Sequence, residues 1–522
     1  MHEKLSGSYY TPLETVNFMC KYLQKYASNI DNILEPSAGD GRFLPPLLNL
    51  KKVKSVIGVE LYKEKTDTII KNIISDKLSV INSDFLDYAN CTNNRFSAII
   101  GNPPYINIKN MSKDFIEKSK LLCKELNLPE SLIKNSWVTF LLASIKIIDE
   151  NGVIFFVLPK EFLQVKYAEK LRIYLETRFN TIHIICFNQK MFPDIEQETC
   201  LVYLTNEVKA LPYIAYKQYD KLDSTNVNFE SRIERNKPLK KWSNAILSDS
   251  QIDLLNICSE RIDNITNFAS CAPGIVTGAN NYFILNKDEV SKYNANKFVK
   301  PIISKSAMIK NSIEVNKKII KRLADNNQKI YLLDLAEIPE DRIPYKLKEY
   351  LNEVANVERN GKRIEDSYKC SIRKPWYGVP VVKSGKVIFF KRYDECPRFC
   401  YNPNDIFTTD ISYNLQLKDN IDAMSLVFCF YNSLTLAQCE FVGRYYGGGV
   451  SELTPNEFRE ISLPYKIIDK KNIEELKKKF INNESIDSIV DCVNEIVLKD
   501  FLGDKEIESL KDIRKKLMER RK

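Results

Sequence analysis

Short apolar runs alternate with helix-periodic stretches through the first 200 residues, and nothing else in the chain restricts the fold so sharply. Strand-like runs lie near 31–35, 55–60, 78–81, 96–101, 152–158 and 181–187, separated by helical stretches such as 62–73, 130–149 and 162–178. This alternation predicts a mostly parallel sheet covered by helices on both faces, an α/β architecture. Thr11 reads as an N-cap with Pro12 at the first helical position. Val16, Met19, Cys20 and Leu23 then recur at helical spacing and should pack on the sheet. Ligands of such sheets bind beyond the carboxyl ends of the strands, so the residues at those ends carry the functional reading.

Each strand end holds a distinctive group. The first run leads into Glu35-Pro36-Ser37-Ala38-Gly39-Asp40-Gly41, a turn whose glycines allow positive φ and close approach of backbone to a ligand. A helix is expected to open near Arg42 and to offer unpaired N–H groups. The second run ends in Glu60, where dinucleotide-type folds place an acid on ribose hydroxyls. The third leads to Asp84-Phe85, an acceptor for an adenine amino group beside a ring that can cover the base. The fourth exits into Asn102-Pro103-Pro104-Tyr105.

That tetrad offers a chemistry. An amino group conjugated to an aromatic ring is a poor nucleophile because its lone pair is delocalised. The Asn102 side-chain oxygen and the Pro103 carbonyl can accept from both of its N–H groups, which draws the nitrogen towards tetrahedral geometry and frees the lone pair. The prolines stiffen the loop, and Tyr105 can stack on the ring.

Together these motifs make the chain resemble the gamma group of S-adenosylmethionine-dependent DNA adenine-N6 methyltransferases, usually the modification enzymes of restriction systems. The resemblance begins at Gly7-Ser8-Tyr9-Tyr10-Thr11-Pro12-Leu13-Glu14, runs through the strand ends above and continues to Gly152-Val153-Ile154-Phe155-Phe156-Val157-Leu158-Pro159. The order of motifs, with the tetrad before a long C-terminal region, is the gamma arrangement. One departure is the Ser-Ala pair before Gly39, where many members have a small residue and cysteine. The resemblance implies a class I, Rossmann-like methyltransferase domain with a reversed last strand at Thr199–Leu204. It further implies a mixed α+β target-recognition domain. S-adenosylmethionine would contact Tyr10, Thr11, Glu35, Pro36, Ser37, Ala38, Gly39, Glu60, Leu61, Asp84, Phe85, Asn102 and Pro104. Asn102, Pro103, Pro104 and Tyr105 would be catalytic, with Phe192 sandwiching a flipped adenine against Tyr105.

At 522 residues, two or more cores are expected, and 44% apolar content is ample to fill them. The expected division is a catalytic domain over 1–210, a recognition domain over 211–464 and a charged helical region over 465–522. Two glycine clusters, Gly274–Phe283 and Tyr445–Val450, resemble the family's recognition region. Arg373, Trp376, Tyr377, Arg444 and Tyr446 are the candidate DNA contacts. The basic groups at 514–516 and 520–522 read either as a solvated helix end or as phosphate contacts.

A net charge of +9 fits a polyanionic partner, and duplex DNA held in a basic cleft between the domains is the expected one. Action as a monomer is also expected, while the sequence leaves open whether a companion restriction endonuclease accompanies the protein. With only six residues before the leading motif, no N-terminal nuclease domain is expected. Without a signal peptide or an apolar run near 18 residues, a cytoplasmic location is expected and no membrane partner. The 13 scattered cysteines and two histidines, His2 and His183, lack metal-ligand spacing, so no metal is expected. Enzymes that methylate RNA bases or a protein glutamine amide share the tetrad but usually lack so long a C-terminal region. A specificity subunit with a decayed methylase core is disfavoured by the intact tetrad, Glu60 and Asp84.

Overall fold

The computed structural model describes residues 10–193, 197–207, 211–224, 226–234, 237–359, 361–446 and 448–521. Gly7, Ser8 and Tyr9 of the leading motif and Gly447 of the second glycine cluster lie outside them. The chain forms two compact units, one ending at Ser250 and the other running from Gln251 to Arg521.

The first unit is built on a nine-stranded sheet. Its strands are β1 (Asn32–Glu35), β2 (Ser55–Glu60), β3 (Leu78–Asn82), β4 (Phe96–Gly101), β5 (Ile148–Pro159), β6 (Thr181–Phe187), β7 (Thr199–Thr205), β8 (Tyr213–Tyr219) and β9 (Phe229–Glu234). Their order is β3-β2-β1-β4-β5-β7-β6-β8-β9. Strands β3 to β5 run parallel, while β7 is antiparallel to both β5 and β6. The reversed last strand implied by the family resemblance is therefore present. Every residue of β4 and each from Val153 to Pro159 in β5 is buried, which explains why these strands read as continuous apolar runs rather than alternating ones.

Helix α1 (Leu13–Tyr26) buries Val16, Met19, Cys20 and Leu23 as its periodicity predicts. Its start differs from expectation. Pro12 holds the N-cap position with extended ψ, no side chain caps the end, and the Pro12 carbonyl accepts from Val16 N–H. Thr11 is buried, and its carbonyl accepts from Arg42 instead. The helix expected at Arg42 begins at Leu44, because the Arg42 side chain folds back onto Asp40. Gly39 and Gly41 do take positive φ, at 62° and 80°. The stretches expected as single helices over 130–149 and 162–178 shorten to Ser136–Ile147 and Glu169–Arg178, each led in by 3-10 turns.

The boundary expected near residue 210 falls instead at 250. Strand β8 pairs in parallel with β6 and is itself covered by β9, so the first sheet continues past the expected end. Lys217 hid this from the apolar pattern. It is buried in β8, with its ammonium 3.4 Å from Glu230 and 4.5 Å from the Tyr26 ring centroid.

The second unit is mixed α+β, with two four-stranded sheets and smaller two- and three-stranded ones. Its helices Lys470–Ile481 and Ile486–Ile496 send Leu476, Phe480, Ile489, Val490 and Val493 into the same core as Phe428 and Phe430. The region expected to stand apart over 465–522 thus belongs to this unit. Arg520 and Arg521, expected at a solvated helix end or on phosphate, are buried, and Arg521 pairs with Glu440. Among the described residues no helix is long and apolar enough to cross a membrane.

Candidate active site

A cavity of about 350 Å³ opens at the carboxyl ends of β1 to β4, within the range of small-molecule sites. Its lining includes Tyr10, Thr11, Glu35, Pro36, Ser37, Ala38, Gly39, Glu60, Leu61, Asp84, Phe85, Asn102 and Pro104. Every residue expected to contact the cofactor therefore meets at one site. Topology is the cause, since β1 is flanked by β2 and β4 and all four strands point the same way.

The glycine turn is held from within. Glu60 accepts from Gly39 N–H at 2.8 Å and from Tyr62 N–H at 3.0 Å, which ties the end of β2 to the turn after β1. Arg42 stacks on the Tyr10 ring, 4.9 Å from its centroid, and forms one wall. Asp84 accepts from Leu86 N–H at 2.7 Å through Oδ1 and so caps helix Phe85–Cys91. Phe85 lies against Phe140, with centroids 5.1 Å apart.

Glu35 is held in an electrostatically unfavourable place. It is 1% exposed, and its Oε2 has no hydrogen-bond partner among the described residues. Burial, reinforced by the negative charges of Asp40 and Glu60, pushes its carboxyl well above the usual range. A buried acceptor facing a cavity is ready for a donor, and a cationic one would relieve all three carboxylates.

The tetrad is anchored at three points. Ser37 Oγ donates to the Asn102 carbonyl at 3.2 Å, and Tyr105 Oη donates to the Val157 carbonyl of β5 at 2.9 Å. Ser136 Oγ donates to the Pro104 carbonyl at 2.5 Å and accepts from Ile106 N–H at 2.9 Å. Burial raises the Tyr105 phenol well above its ordinary value, so it stays a neutral donor. Pro103 and Tyr105 lie off the cavity lining. Phe192 does too: it is buried with Met191 in the core that contains Val157 and Leu201.

Two family profiles match most of the chain. One, described as Eco57I restriction-modification methylase, matches residues 18–192. The other, described as Type II methyltransferase M.Eco57I, C-terminal domain, matches residues 239–498. The chain belongs to the Eco57I-type restriction-modification methylases. It is 23% identical over 530 residues to the Type II methyltransferase M.AccI of Acinetobacter calcoaceticus, covering 95% of this chain and 94% of that one. It is 29% identical over 235 residues to M.HincII of Haemophilus influenzae, which is 44% of this chain and 41% of that one. Among solved structures, the Type IIL restriction-modification enzyme MmeI in complex with DNA shares the fold with a TM-score of 0.52 at 12% identity. That match covers 97% of this chain and 72% of MmeI.

In this methylase several of the residues expected to contact DNA make internal contacts. Arg373 spends its guanidinium on the Val276 and Thr277 carbonyls, both at 2.7 Å. Trp376 packs between Phe283 and Tyr377. Arg444 is paired with Glu457 at 2.8 Å, while Tyr446 is half exposed. Ser136 is the site residue that the sequence did not expose. It opens an apolar helix 34 residues beyond Asn102, and no motif links the two.

Proposed function

We propose that this chain is a sequence-specific DNA adenine-N6 methyltransferase of a restriction system. The observation that carries the reading is the placement of Asn102 and Pro104 on the wall of the cavity that gathers Glu35, Glu60 and Asp84. The cavity residues fit S-adenosylmethionine, which would supply an electrophilic methyl carbon on a sulfonium. Glu35 would pair with its ammonium, Glu60 would take ribose hydroxyls, and Asp84 with Phe85 would hold its adenine. The Ser-Ala pair before Gly39 keeps this wall small.

The protein's own task is positioning. The Asn102 side-chain oxygen and the Pro103 carbonyl accept from the target amino group and stabilise the positive charge that develops on it. Three anchors hold the loop before substrate arrives, so little ordering is needed at the reactive step. A target base must leave the duplex to reach this depth, at a cost of a few kcal/mol. Tyr105 supplies the stacking face, and Phe192 would have to leave its present packing to supply a second. No strong general base is needed, because an N6 nitrogen that has accepted a methyl group carries an acidic proton.

The test is single-molecule sequencing of DNA from cells that express this chain, beside cells that express Asn102→Ala. Methylated adenine at one short motif, absent in the variant, is the expected result. Purified Asn102→Ala should still bind DNA. Transfer to RNA or protein by the wild type, with no methylated DNA motif, would overturn the reading.

A further inference from the structure

Arg373 and Arg444 are consumed by internal contacts, so the cations free to meet a polyanion lie elsewhere in the second unit. Residues 358–374 carry six cations, Arg373 and the paired Arg363 among them, against three carboxylates. Two of those carboxylates, Glu365 and Asp366, both pair with Arg363 at 3.0 and 2.9 Å. Among the described residues Arg359, Lys362, Lys369 and Lys374 have no ion-pair partner, and all four are exposed.

The first two stand on a two-stranded hairpin, Glu358–Arg359 with Lys362–Arg363. Its root is fixed, because Ile364 is buried and donates its N–H to the Val357 carbonyl at 2.9 Å. At its tip Arg359 is directly opposite Lys362 in the antiparallel register. Like charges at a cross-strand pair destabilise a ladder, and a hairpin this short has little stability to spare. A local conflict of this kind with no internal compensation marks a place where function overrides folding. An external anion resolves it.

The surroundings fit one kind of anion. Arg359 also borders a hollow of about 360 Å³ lined by Thr277, Gly278, Asn280, Asn281 and Asp410. Gly278 has φ of +83°, and a Cβ there would lie 2.9 Å from Lys369 Cβ, so the hollow's loop abuts the turn Tyr368–Ser371. Tyr368 on that turn is 75% exposed. A free phosphate would suit the Arg359–Lys362 rung alone. Amide groups and a carboxylate beside it match the donor and acceptor edges of base pairs, and a two-stranded ribbon fits the major groove.

Resting on the DNA-methyltransferase reading above, we propose that this hairpin and the adjoining hollow form a duplex-DNA contact surface, with Arg359 and Lys362 on backbone phosphates.

The test uses the full-length protein and a duplex of roughly 30 base pairs carrying the motif found by sequencing. Dissociation constants are measured against salt for the wild type and for Arg359→Gln/Lys362→Gln. Each lost phosphate contact removes about 0.9 from the log–log salt slope, so a fall of about 1.8 is expected. A rise of tenfold or more in the Kd and in the KM for DNA should accompany it, with S-adenosylmethionine affinity unchanged. The double variant should melt no lower than the wild type, since a repulsive rung is gone. Arg359→Lys/Lys362→Arg should restore the slope. An unchanged slope and KM in the double variant, with a wild type that does methylate adenine, would overturn this inference alone. A wild type that neither binds nor methylates the duplex would overturn the underlying reading, and this inference with it.

Discussion

Replacing Ser136 by alanine tests whether the anchoring of the Asn102–Tyr105 loop matters to the reaction or only to the fold. The hydroxyl is 2% exposed with its residue and serves two loop groups, the Pro104 carbonyl and the Ile106 amide. Orphaning a buried polar group costs about 1–3 kcal/mol. Both groups border a cavity from which water can partly replace the hydroxyl, so about 2 kcal/mol for the pair is a fair estimate. If that energy holds the loop in reactive geometry, its loss lowers kcat by roughly 30-fold, at 1.36 kcal/mol per decade. Single-turnover transfer of a labelled methyl group measures this directly. DNA affinity should stay within about twofold, and Ser136→Thr should recover most of the rate. A Ser136→Ala variant whose melting temperature falls while kcat holds would refute the positioning role, leaving Ser136 as a fold contact.

Two further outcomes follow from buried titrating groups. The raised carboxyl of Glu35 binds its proton more tightly folded than unfolded, so its favourable contribution is present below the usual carboxylate range and is lost as pH rises through the folded value. Glu35→Gln should therefore stabilise the free protein more at pH 8 than at pH 5 while weakening S-adenosylmethionine binding by tenfold or more, as thermal melts and calorimetry would report; unchanged cofactor affinity would remove Glu35 from the binding role. His183 presents the opposite sign. Burial, aided by the Lys217 and Arg232 cations, pushes it down to about 3, while its nitrogens meet the Tyr22 and Tyr213 hydroxyls at 2.8 and 3.1 Å. Its contribution is complete above pH 6.5 and declines as pH falls towards 3, by up to about 1.4 kcal/mol per unit. Between pH 6.5 and 5 the wild type should lose about 2 kcal/mol relative to His183→Gln, and parallel stability curves would contradict the assignment.

Much of the first unit was legible because its signals are local. Strands β2 and β4 and the parallel part of the sheet follow from apolar runs a few residues long, and the cavity follows from the groups placed just after them. Glu35, Glu60, Asp84 and Asn102 meet at one site because their strands are neighbours and parallel, and sequence order supplies most of that information. What escaped depends on distant partners. Strand β8 reads poorly because Lys217 interrupts it, and Glu230 with the Tyr26 and Tyr22 rings makes that burial tolerable. Arg373 and Arg444 look like phosphate ligands until the Val276 carbonyl and Glu457 are seen beside them. Phe192, read as a stacking platform, is buried in the core beside Met191, and its place before a proline does not distinguish the two settings. Ser136 gave no sign at all, since a serine opening a helix is ordinary and only its partners make it part of the site.

The insertion of β7 between β5 and β6 has a cost in time. During synthesis β5 is complete at Pro159, whereas its antiparallel neighbour begins only at Thr199, some 40 residues later. At about 5–20 residues per second that interval lasts roughly 2–8 s. Through it, the edge of Val153 to Leu158 that β7 will occupy has no partner, on a segment with high β-propensity and no charge. A nascent chain of this sequence therefore carries an aggregation-prone edge for seconds before its own fold can cover it, and slower translation across residues 160–205 should lower the yield of native protein.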